Sequence, residues 1–180
     1  MPCRQSRKMN ISEKGLEFIK AQEKLRLKAE KNYAGVWTTG YGHTENVSEG
    51  DSVTPEQAEA QLRSDLARCA AVLNKALAVP VTQNQFDALC SILFSVGKGE
   101  RGVRAGLIEL KSGLPSTLLM FLNQGCYAAA AEQFGSWIYA GNGVVKELIC
   151  RREREKDLFL RKNQAESATM RPLSARRSIA

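Results

Sequence analysis

A helical repeat of apolar residues begins near the N-terminus, after Ser12. Leu16 and Ile19 lie three residues apart, and Glu23 follows four residues later. Residues at these spacings share one face of a helix, and a serine hydroxyl is a common helix N-cap. The pattern therefore predicts a first helix in which the Glu23 carboxylate ends an apolar stripe.

The helical repeat then disappears over residues 33–44. Glycines alternate there with aromatic and β-branched residues: Gly35, Val36, Trp37, Gly40, Tyr41 and Gly42. This composition is typical of short strands joined by tight turns. It is the only β-structure that the sequence predicts.

Two helices with strong start signals follow. Thr54, Pro55 and Gln57 combine a hydroxyl cap, a proline at the first helical position and a capping-box glutamine, which predicts a long helix over about 54–78. The next helix, over 83–96, is apolar on a wide face and stops at a glycine, as a central core helix would. Beyond it, we predict a loop around a short helix over 98–113 and further helices over about 116–125, 127–137 and 144–160.

These elements predict an α+β fold that is mostly α-helical, with a small β-hairpin lobe and a helical lobe joined by a long helix. Within one domain over 1–162, the N-terminal lobe covers about 11–53, the interlobe helix about 54–78 and the helical lobe about 80–162. A chain of 180 residues can bury such a core. The segment 163–180, rich in Ser, Ala and Arg, predicts a basic disordered tail.

The five cysteines show neither a C-x-x-C pair nor a zinc-type spacing with histidine. Four of them lie in apolar, helix-like contexts, which favours free buried thiols and synthesis in a reducing cytoplasm. Neither a metal-binding constellation nor a nucleotide-binding loop is present in the sequence. We therefore predict no metal and no cofactor.

The chain carries 26 Lys and Arg against 19 Asp and Glu, a formal net charge of +7. This charge favours a polyanionic partner and leaves nucleic acid, anionic lipid and an acidic cell wall open. Because the basic residues are interspersed with acids, a soluble surface with a mild positive bias is an equal alternative. No apolar run approaches the ~20 residues of a membrane helix, and the first eight residues lack the apolar core of a signal peptide.

A carboxylate, a carboxamide and a hydroxyl surround the glycine-rich turn, at Glu23, Asn32 and Thr38. A carboxyl group can act as a proton donor in acid–base catalysis, and the apolar helix face beside Glu23 would favour the protonated acid. Basic residues close in sequence would oppose this effect. On these residues alone, a solvated surface charge is the alternative interpretation of Glu23.

Four strings then follow in order: G-V-W-T-T-G-Y-G-H-T, V-T-P-E-Q-A-E-A-Q-L-R-S-D-L, Q-N-Q-F-D-A-L-C-S-I-L-F-S-V-G and V-V-K-E-L-I-C-R-R-E-R-E-K-D-L-F. With them, about residues 11–160 resemble the phage-type lysozymes, or endolysins, of glycoside hydrolase family 24. The resemblance implies a two-lobed lysozyme-like fold. It also implies a muramidase that cleaves the β-1,4 bond between N-acetylmuramic acid and N-acetylglucosamine in peptidoglycan.

The family uses a Glu, then an Asp and then a Thr, at spacings that match Glu23, Asn32 and Thr38. The resemblance implies that Glu23 is the general acid, that position 32 handles the water or the developing positive charge, and that Thr38 helps hold the water. Asn32 departs from the family, because an amide can neither take a proton nor supply a negative charge. Losing a general base typically costs about 10²–10⁴-fold in rate, so we predict impaired activity.

Two more residues depart from the family pattern: Lys24 stands where glycine is usual, and Glu30 where an aromatic residue is common. Glu30 lies seven residues from Glu23, about two helical turns, and is a candidate for a displaced base. The alternative is an exposed loop acid that pairs with Lys28 or Lys31.

The resemblance also implies roles outside catalysis. His43, the only histidine, would make a structural contact with Asp65 on the long helix. Thr44 and Phe94 match substrate-contacting positions, with core packing as the alternative for Phe94. Trp37 is a candidate for stacking on a sugar, although we prefer a buried aromatic that anchors the β-lobe.

The leading hypothesis is an endolysin that is made in the host cytoplasm, released by a holin and active on periplasmic peptidoglycan during host cell lysis. We predict a monomer with no membrane anchor. The alternative is a catalytically inactive lysozyme-like protein that binds peptidoglycan, either natural or an engineered inactive variant. Nucleic-acid binding has neither a helix-turn-helix nor an aromatic-basic motif in its favour, and we predict no nucleic-acid partner.

Overall fold

A computed structural model describes residues 8–32, 35–140 and 143–162. Its elements in chain order are α1 (Glu13–Lys20), β1 (Arg26–Lys31), β2 (Trp37–Gly40), α2 (Pro55–Ala76), α3 (Gln83–Val96), α4 (Thr117–Asn123), α5 (Tyr127–Glu132), a 3-10 helix (Gln133–Ser136), β3 (Tyr139–Ala140), β4 (Gly143–Val144) and α6 (Lys146–Leu160). The predicted α+β, mostly helical fold class is confirmed. Cys3 and the predicted tail over 163–180 lie outside the described residues.

The predicted starts of the first three helices are the ones that the structure uses. Ser12 Oγ accepts a hydrogen bond from Gly15 N at 3.0 Å and caps α1. Thr54 and Thr82 open α2 and α3, and each forms a complete capping box with the glutamine three residues later. These caps satisfy backbone N–H groups that a helix leaves unpaired at its start.

Several predicted boundaries and elements are wrong. The 33–44 segment is not the only β-structure, since β1 precedes it and β3 and β4 form a second hairpin. No helix forms over 98–113; turns and isolated bridges, such as that between Glu100 and Arg104, hold this segment instead. The helix α1 ends at Lys20, so Glu23 lies in the turn beyond it rather than on its last face.

The buried apolar residues form two clusters, and α2 contributes to both. Leu62 and Leu66 of α2 pack with Leu16 and Ile19 of α1. The end of α2 packs into a larger cluster that is centred on α3 and includes α4, α5 and α6. None of the described helices is long and apolar enough to cross a membrane. The boundaries of the two lobes stay a prediction.

The described cysteines, Cys69, Cys90, Cys126 and Cys150, are all free thiols. The expectation that they are buried holds for Cys90 and is wrong for Cys126 and Cys150, which are exposed. Burial raises the pKa of the Cys69 thiol to about 11. This thiol is therefore protonated at neutral pH and a poor nucleophile.

Gly15 lies where α1 meets α3, and we expect Gly15→Ala to destabilise the protein. An added Cβ would lie 2.5 Å from Asp87 Cγ and 2.8 Å from Asp87 Oδ1. This carboxylate cannot move away easily, because it accepts hydrogen bonds from Ser12 N at 3.0 Å, Ser12 Oγ at 2.5 Å and Gln83 Nε2 at 2.8 Å. We expect urea unfolding to show a loss of about 1–3 kcal/mol.

Gly135 provides the matched control for this substitution. It also lies in a helical segment, and nothing lies within 4 Å of a Cβ added there. Gly135→Ala should therefore leave the free energy of unfolding unchanged or slightly raised. An equal effect of the two substitutions would show that the contact with Asp87 is not what excludes a side chain at position 15.

Candidate active site

Three segments bring the predicted catalytic residues to one cleft. Glu23 follows α1, and its backbone N–H still donates to Ile19 O at 3.2 Å. Asn32 comes directly after β1, and Thr38 lies in β2, where it pairs with Glu30 across the antiparallel hairpin. These three residues line a cleft of about 310 Å³ with Arg26, Tyr41, Gly42, Phe94, Ser95 and Arg151.

The sequence suggested apolar surroundings for Glu23, but the structure also places an arginine beside it. Arg151 Nη1 of α6 donates to Glu23 Oε1 at 2.7 Å, and both side chains are mostly buried, at 17% exposed for Glu23 and 12% for Arg151. Among the described residues, Glu23 Oε2 has no hydrogen-bond partner. One oxygen of the carboxyl group is therefore held, and the other is available to a substrate.

A buried ionic cluster lies behind this pair, made of Ser91, Arg151, Arg152 and Glu155. Glu155 is fully buried and accepts hydrogen bonds from Ser91 Oγ at 2.6 Å, Arg151 Nε at 3.2 Å and Arg152 Nη2 at 3.2 Å. Burial raises the pKa of the Glu155 carboxyl, while Arg152, Ser91 and Arg151 act in the opposite direction. Burial lowers the pKa of the Arg152 guanidinium to about 10, which leaves it charged at neutral pH.

Asn32 shapes the turn that joins β1 to β2. The side-chain Oδ1 accepts a hydrogen bond from Val36 N at 3.1 Å. The backbone N–H of Asn32 donates to Val36 O at 2.9 Å, and its backbone carbonyl accepts from Gly35 N at 2.9 Å. Asparagine and aspartate both make this kind of side-chain turn. The turn is therefore compatible with the aspartate that the resemblance implies at this position.

Thr38 is buried, with 3% of its surface exposed. Its hydroxyl donates to the Glu30 carbonyl at 3.0 Å, so the hydroxyl proton is already used by the β1–β2 hairpin. A threonine hydroxyl has two lone pairs besides that proton. In the cleft, Thr38 can therefore act as a hydrogen-bond acceptor.

Glu30 lies on β1, not in a loop, and it does not line the cleft. Its carboxylate pairs with Arg26 Nε at 3.3 Å and Lys24 Nζ at 4.0 Å, rather than with Lys28 or Lys31 as expected. The side chain is 53% exposed. These contacts favour a solvated surface acid over a displaced base.

The cleft continues along α2 and the end of α3. Asn32, Gly42, Phe94 and Ser95 also line an adjoining space of about 470 Å³. Thr44 is exposed there, and half-buried Phe94 packs partly against the smaller core cluster. Both residues are thus placed where a bound polymer could contact them.

His43 and Asp65 are in contact at the wall of this adjoining space. His43 Nδ1 lies 2.9 Å from Asp65 Oδ2, with both side chains mostly buried. Asp65 also accepts a hydrogen bond from Arg68 Nη2, and Arg68 Nη1 binds Glu45. The pair ties the turn after β2 to α2, which supports a structural role for His43.

Asp65→Asn should lower the free energy of unfolding by about 1–2 kcal/mol at pH 5, since hydrogen bonds to charged groups contribute about 1.5–3 kcal/mol. The amide would leave His43 Nδ1 and Arg68 Nη2 without the carboxylate that both contact. Glu45→Gln is the control, because it removes the other, exposed carboxylate bound to Arg68. Urea unfolding that shows the same stability for Asp65→Asn and the native chain would contradict a structural His43–Asp65 pair.

Trp37 is only half-buried, and it does not line either part of the cleft. Lys31 Nζ lies 5.0 Å from the centre of its ring, a cation–π contact within the hairpin. The expectation of a buried aromatic anchor is therefore only partly met. Stacking on a sugar within the cleft is not supported.

Arg151 is the site residue that the sequence did not identify. It is 128 residues from Glu23, and a helix with basic residues on one face gives no sign of which one reaches a distant carboxylate. The available signal was the adjacent pair Arg151 and Arg152 followed by Glu155 at helical spacing. Two arginines and a glutamate at this spacing can form a buried ionic cluster where the helix packs against the core.

Comparisons with known proteins identify the family of this chain. A family model described as phage lysozyme matches residues 20–155. The endolysin of Acyrthosiphon pisum secondary endosymbiont phage 1 is 48% identical over 155 residues, which cover 84% of this chain and 98% of that protein. The endolysin of Salmonella phage P22 is 38% identical over 157 residues, which cover 84% and 99% of the two chains.

Solved structures show the same similarity. The muramidase domain of SpmX from Asticaccaulis excentricus has a TM-score of 0.72 and 38% identity, over 85% of this chain and 99% of that one. A mutant P22 lysozyme has a TM-score of 0.68 and 36% identity, over 85% and 99% of the two chains. The chain therefore belongs to the phage lysozyme family and is a lysozyme-type glycoside hydrolase.

Proposed function

We propose that this protein is a muramidase that hydrolyses the β-1,4 bond between N-acetylmuramic acid and N-acetylglucosamine, with Glu23 as general acid and a turnover that Asn32 limits. The observation that carries this proposal is the single cleft that Glu23, Asn32, Thr38 and Arg151 line together. Glycosidases cleave with an acid on one side of the bond and a water-activating group on the other. In this cleft, Glu23 would be the acid. Asn32 would be a weaker water-activating group than a carboxylate.

The hold on Glu23 suits a proton donor. Arg151 Nη1 binds Oε1, which in a protonated carboxyl can be the carbonyl oxygen. The proton then resides on Oε2 and can pass to the glycosidic oxygen as the bond breaks. An acid fixed in one orientation loses less entropy in reaching the reactive geometry.

Thr38 and Asn32 would position the attacking water. Because the Thr38 hydroxyl proton is bound to the Glu30 carbonyl, Thr38 can accept a hydrogen from water and leave a water lone pair available for attack. Asn32 Oδ1 already accepts from Val36 N. An aspartate would offer a second, basic oxygen at this position, whereas the asparagine offers an N–H₂ donor that cannot take the proton.

The biological setting that we propose is lysis of a bacterial host. Several of the similar proteins are named endolysins of phages, and others are named SAR-endolysins. We propose that this protein is made in the host cytoplasm, reaches the periplasm through a holin, and binds peptidoglycan there as a monomer. The two adjoining spaces of the cleft, one of them beside Thr44 and Phe94, support a polymeric substrate over a single sugar.

Glu23→Gln should lower muropeptide release from purified peptidoglycan by about 10²–10⁴-fold, because the amide cannot donate the proton. The matched control is Glu30→Gln, which removes the same charge seven residues away, from an exposed side chain outside the cleft. Release by this control should stay within about twofold of the native rate, since exposed ion pairs contribute little. Mass spectrometry of the soluble products measures both.

Two other results of this experiment would contradict Glu23 as the acid or favour the binding-only alternative. Loss of release in Glu30→Gln but not in Glu23→Gln would make Glu30 the essential carboxylate and contradict the proposed acid. No release by the native chain, together with sedimentation of the protein on peptidoglycan, would favour the binding-only alternative that Asn32 suggests.

A further inference from the structure

Glu155 is a fully buried carboxylate that the proposed mechanism does not use. It lies on α6, one turn after Arg151, and packs against Ser91 of α3. Burying a carboxylate is costly unless several donors compensate it. Its Oε1 accepts hydrogen bonds from three side chains, and its Oε2 lies 3.0 Å from Arg152 Nε.

Arg151 is the only described residue that forms a hydrogen bond or ion pair with both Glu155 and Glu23. Its Nε donates to Glu155 Oε1 at 3.2 Å, and its Nη1 donates to Glu23 Oε1 at 2.7 Å. The guanidinium group is planar, so fixing Nε also fixes the direction of Nη1. Two donors of one rigid group thus link a buried carboxylate to the carboxyl group of the cleft.

We infer that Glu155 is a positioning residue for glycan cleavage, which acts through Arg151 to hold one oxygen of Glu23 and keep the other directed to the glycosidic bond. This inference rests on the proposed role of Glu23. Glu155 itself touches neither the substrate nor the reacting atoms.

The packing of α6 against α3 places Glu155 where it can hold the Arg151 side chain in one conformation. An arginine side chain has several rotatable bonds, and holding it in one conformation costs entropy. Ser91 on α3 and Arg152 on α6 fix Glu155 from two sides, and Glu155 in turn fixes Arg151. Without that anchor, Arg151 would still attract Glu23 but would hold it in several orientations.

Glu155→Gln is the direct test, with Glu153→Gln as its matched control. Glu153 is an exposed glutamate on the same helix, so its substitution makes the same change in net charge away from the cluster. With soluble glycan chains as substrate, we expect Glu155→Gln to lower kcat by about 10-fold and to leave KM within about twofold, because misplaced catalytic groups affect the chemical step. Glu153→Gln should change neither.

A double-mutant cycle distinguishes positioning from a general loss of stability. If Glu155 acts through Arg151, adding Glu155→Gln to Arg151→Met should lower kcat no further than Arg151→Met does alone. Multiplying effects would overturn the inference. Ser91→Ala removes one donor to Glu155 and leaves the ion pairs in place, so a smaller fall in kcat in this variant supports the same conclusion if Glu155→Gln does not fold.

A spectroscopic measurement keeps the inference testable apart from activity. In protein with ¹⁵N-labelled arginine, the Arg151 guanidinium should rotate slowly about its Nε–Cζ bond in the native chain and in Glu153→Gln, and faster in Glu155→Gln or Ser91→Ala. An Arg151 signal that none of these changes would overturn the inference. If neither the native chain nor Asn32→Asp cleaves glycan, the proposed function fails, and this measurement still decides whether Glu155 positions Arg151.

Discussion

Asn32→Asp should release muropeptides about 10²–10⁴-fold faster than the native chain, since this is the usual contribution of a general base. The substitution replaces a donor N–H₂ group with a basic oxygen at nearly the same size. The turn should survive, because the hydrogen bond from Val36 N to position 32 needs only a side-chain oxygen. The added negative charge would also favour the positive charge that develops on the sugar ring.

Asn46→Asp is the control for the added charge. Asn46 is exposed in a turn, with a φ of 56° that aspartate also tolerates, and it lies outside the cleft residues. Its rate of muropeptide release should match that of the native chain. If Asn32→Asp is no faster than this control, then Asn32 is not what limits turnover.

The largest expected loss of stability comes from removing Glu155 altogether. Glu155→Met should lower the free energy of unfolding by about 3–5 kcal/mol, because it leaves a buried charge without its partner. Arg152 is 1% exposed and makes its ion pair with Glu155. Chemical unfolding in urea measures the change.

The double variant Glu155→Met with Arg152→Leu tests the cause of that loss. Replacing both buried charges by apolar side chains of similar size is often neutral or stabilising. We therefore expect the double variant to be more stable than Glu155→Met alone. A double variant that is less stable would show that packing around these side chains, rather than the unpaired Arg152, dominates the loss.

The helix starts could be predicted because their signals are local. Ser12, Thr54 and Thr82 each bond to the backbone three residues later. Such contacts depend only on neighbouring residues, so residue type and spacing are enough to identify them.

The strand β1 could not be predicted in the same way. Its sequence, R-L-K-A-E-K, contains residues with low strand propensity, and most of its side chains are exposed. It is a strand because β2 supplies the pairing partner, and such context outweighs intrinsic preference.

The short helix predicted over 98–113 does not form, and the reason is again contact with distant residues. There, Gly99 has a φ of +88°, and an added Cβ would lie 1.8 Å from Glu109 O, so close contacts between distant parts of the loop decide its shape.

In the candidate site, too, the residues that are close in sequence could be predicted and the distant one could not. Glu23, Asn32 and Thr38 are close in sequence and match the spacing of a family pattern, and all three line the cleft. Arg151 reaches Glu23 only because α6 packs on α3, which no local pattern shows. What the sequence could not supply is the set of long-range contacts that orient the acid.

We expect this chain to cleave one specific bond of peptidoglycan with Glu23 as the acid. The most direct test is to digest purified peptidoglycan with the native chain, Asn32→Asp, and Asn32→Asp combined with Glu23→Gln, then reduce the products and identify their ends by mass spectrometry. We expect products that end in reduced N-acetylmuramic acid, few from the native chain, many from Asn32→Asp, and none once Glu23 is replaced. Products that end in reduced N-acetylglucosamine, or products that persist without Glu23, would contradict the claim.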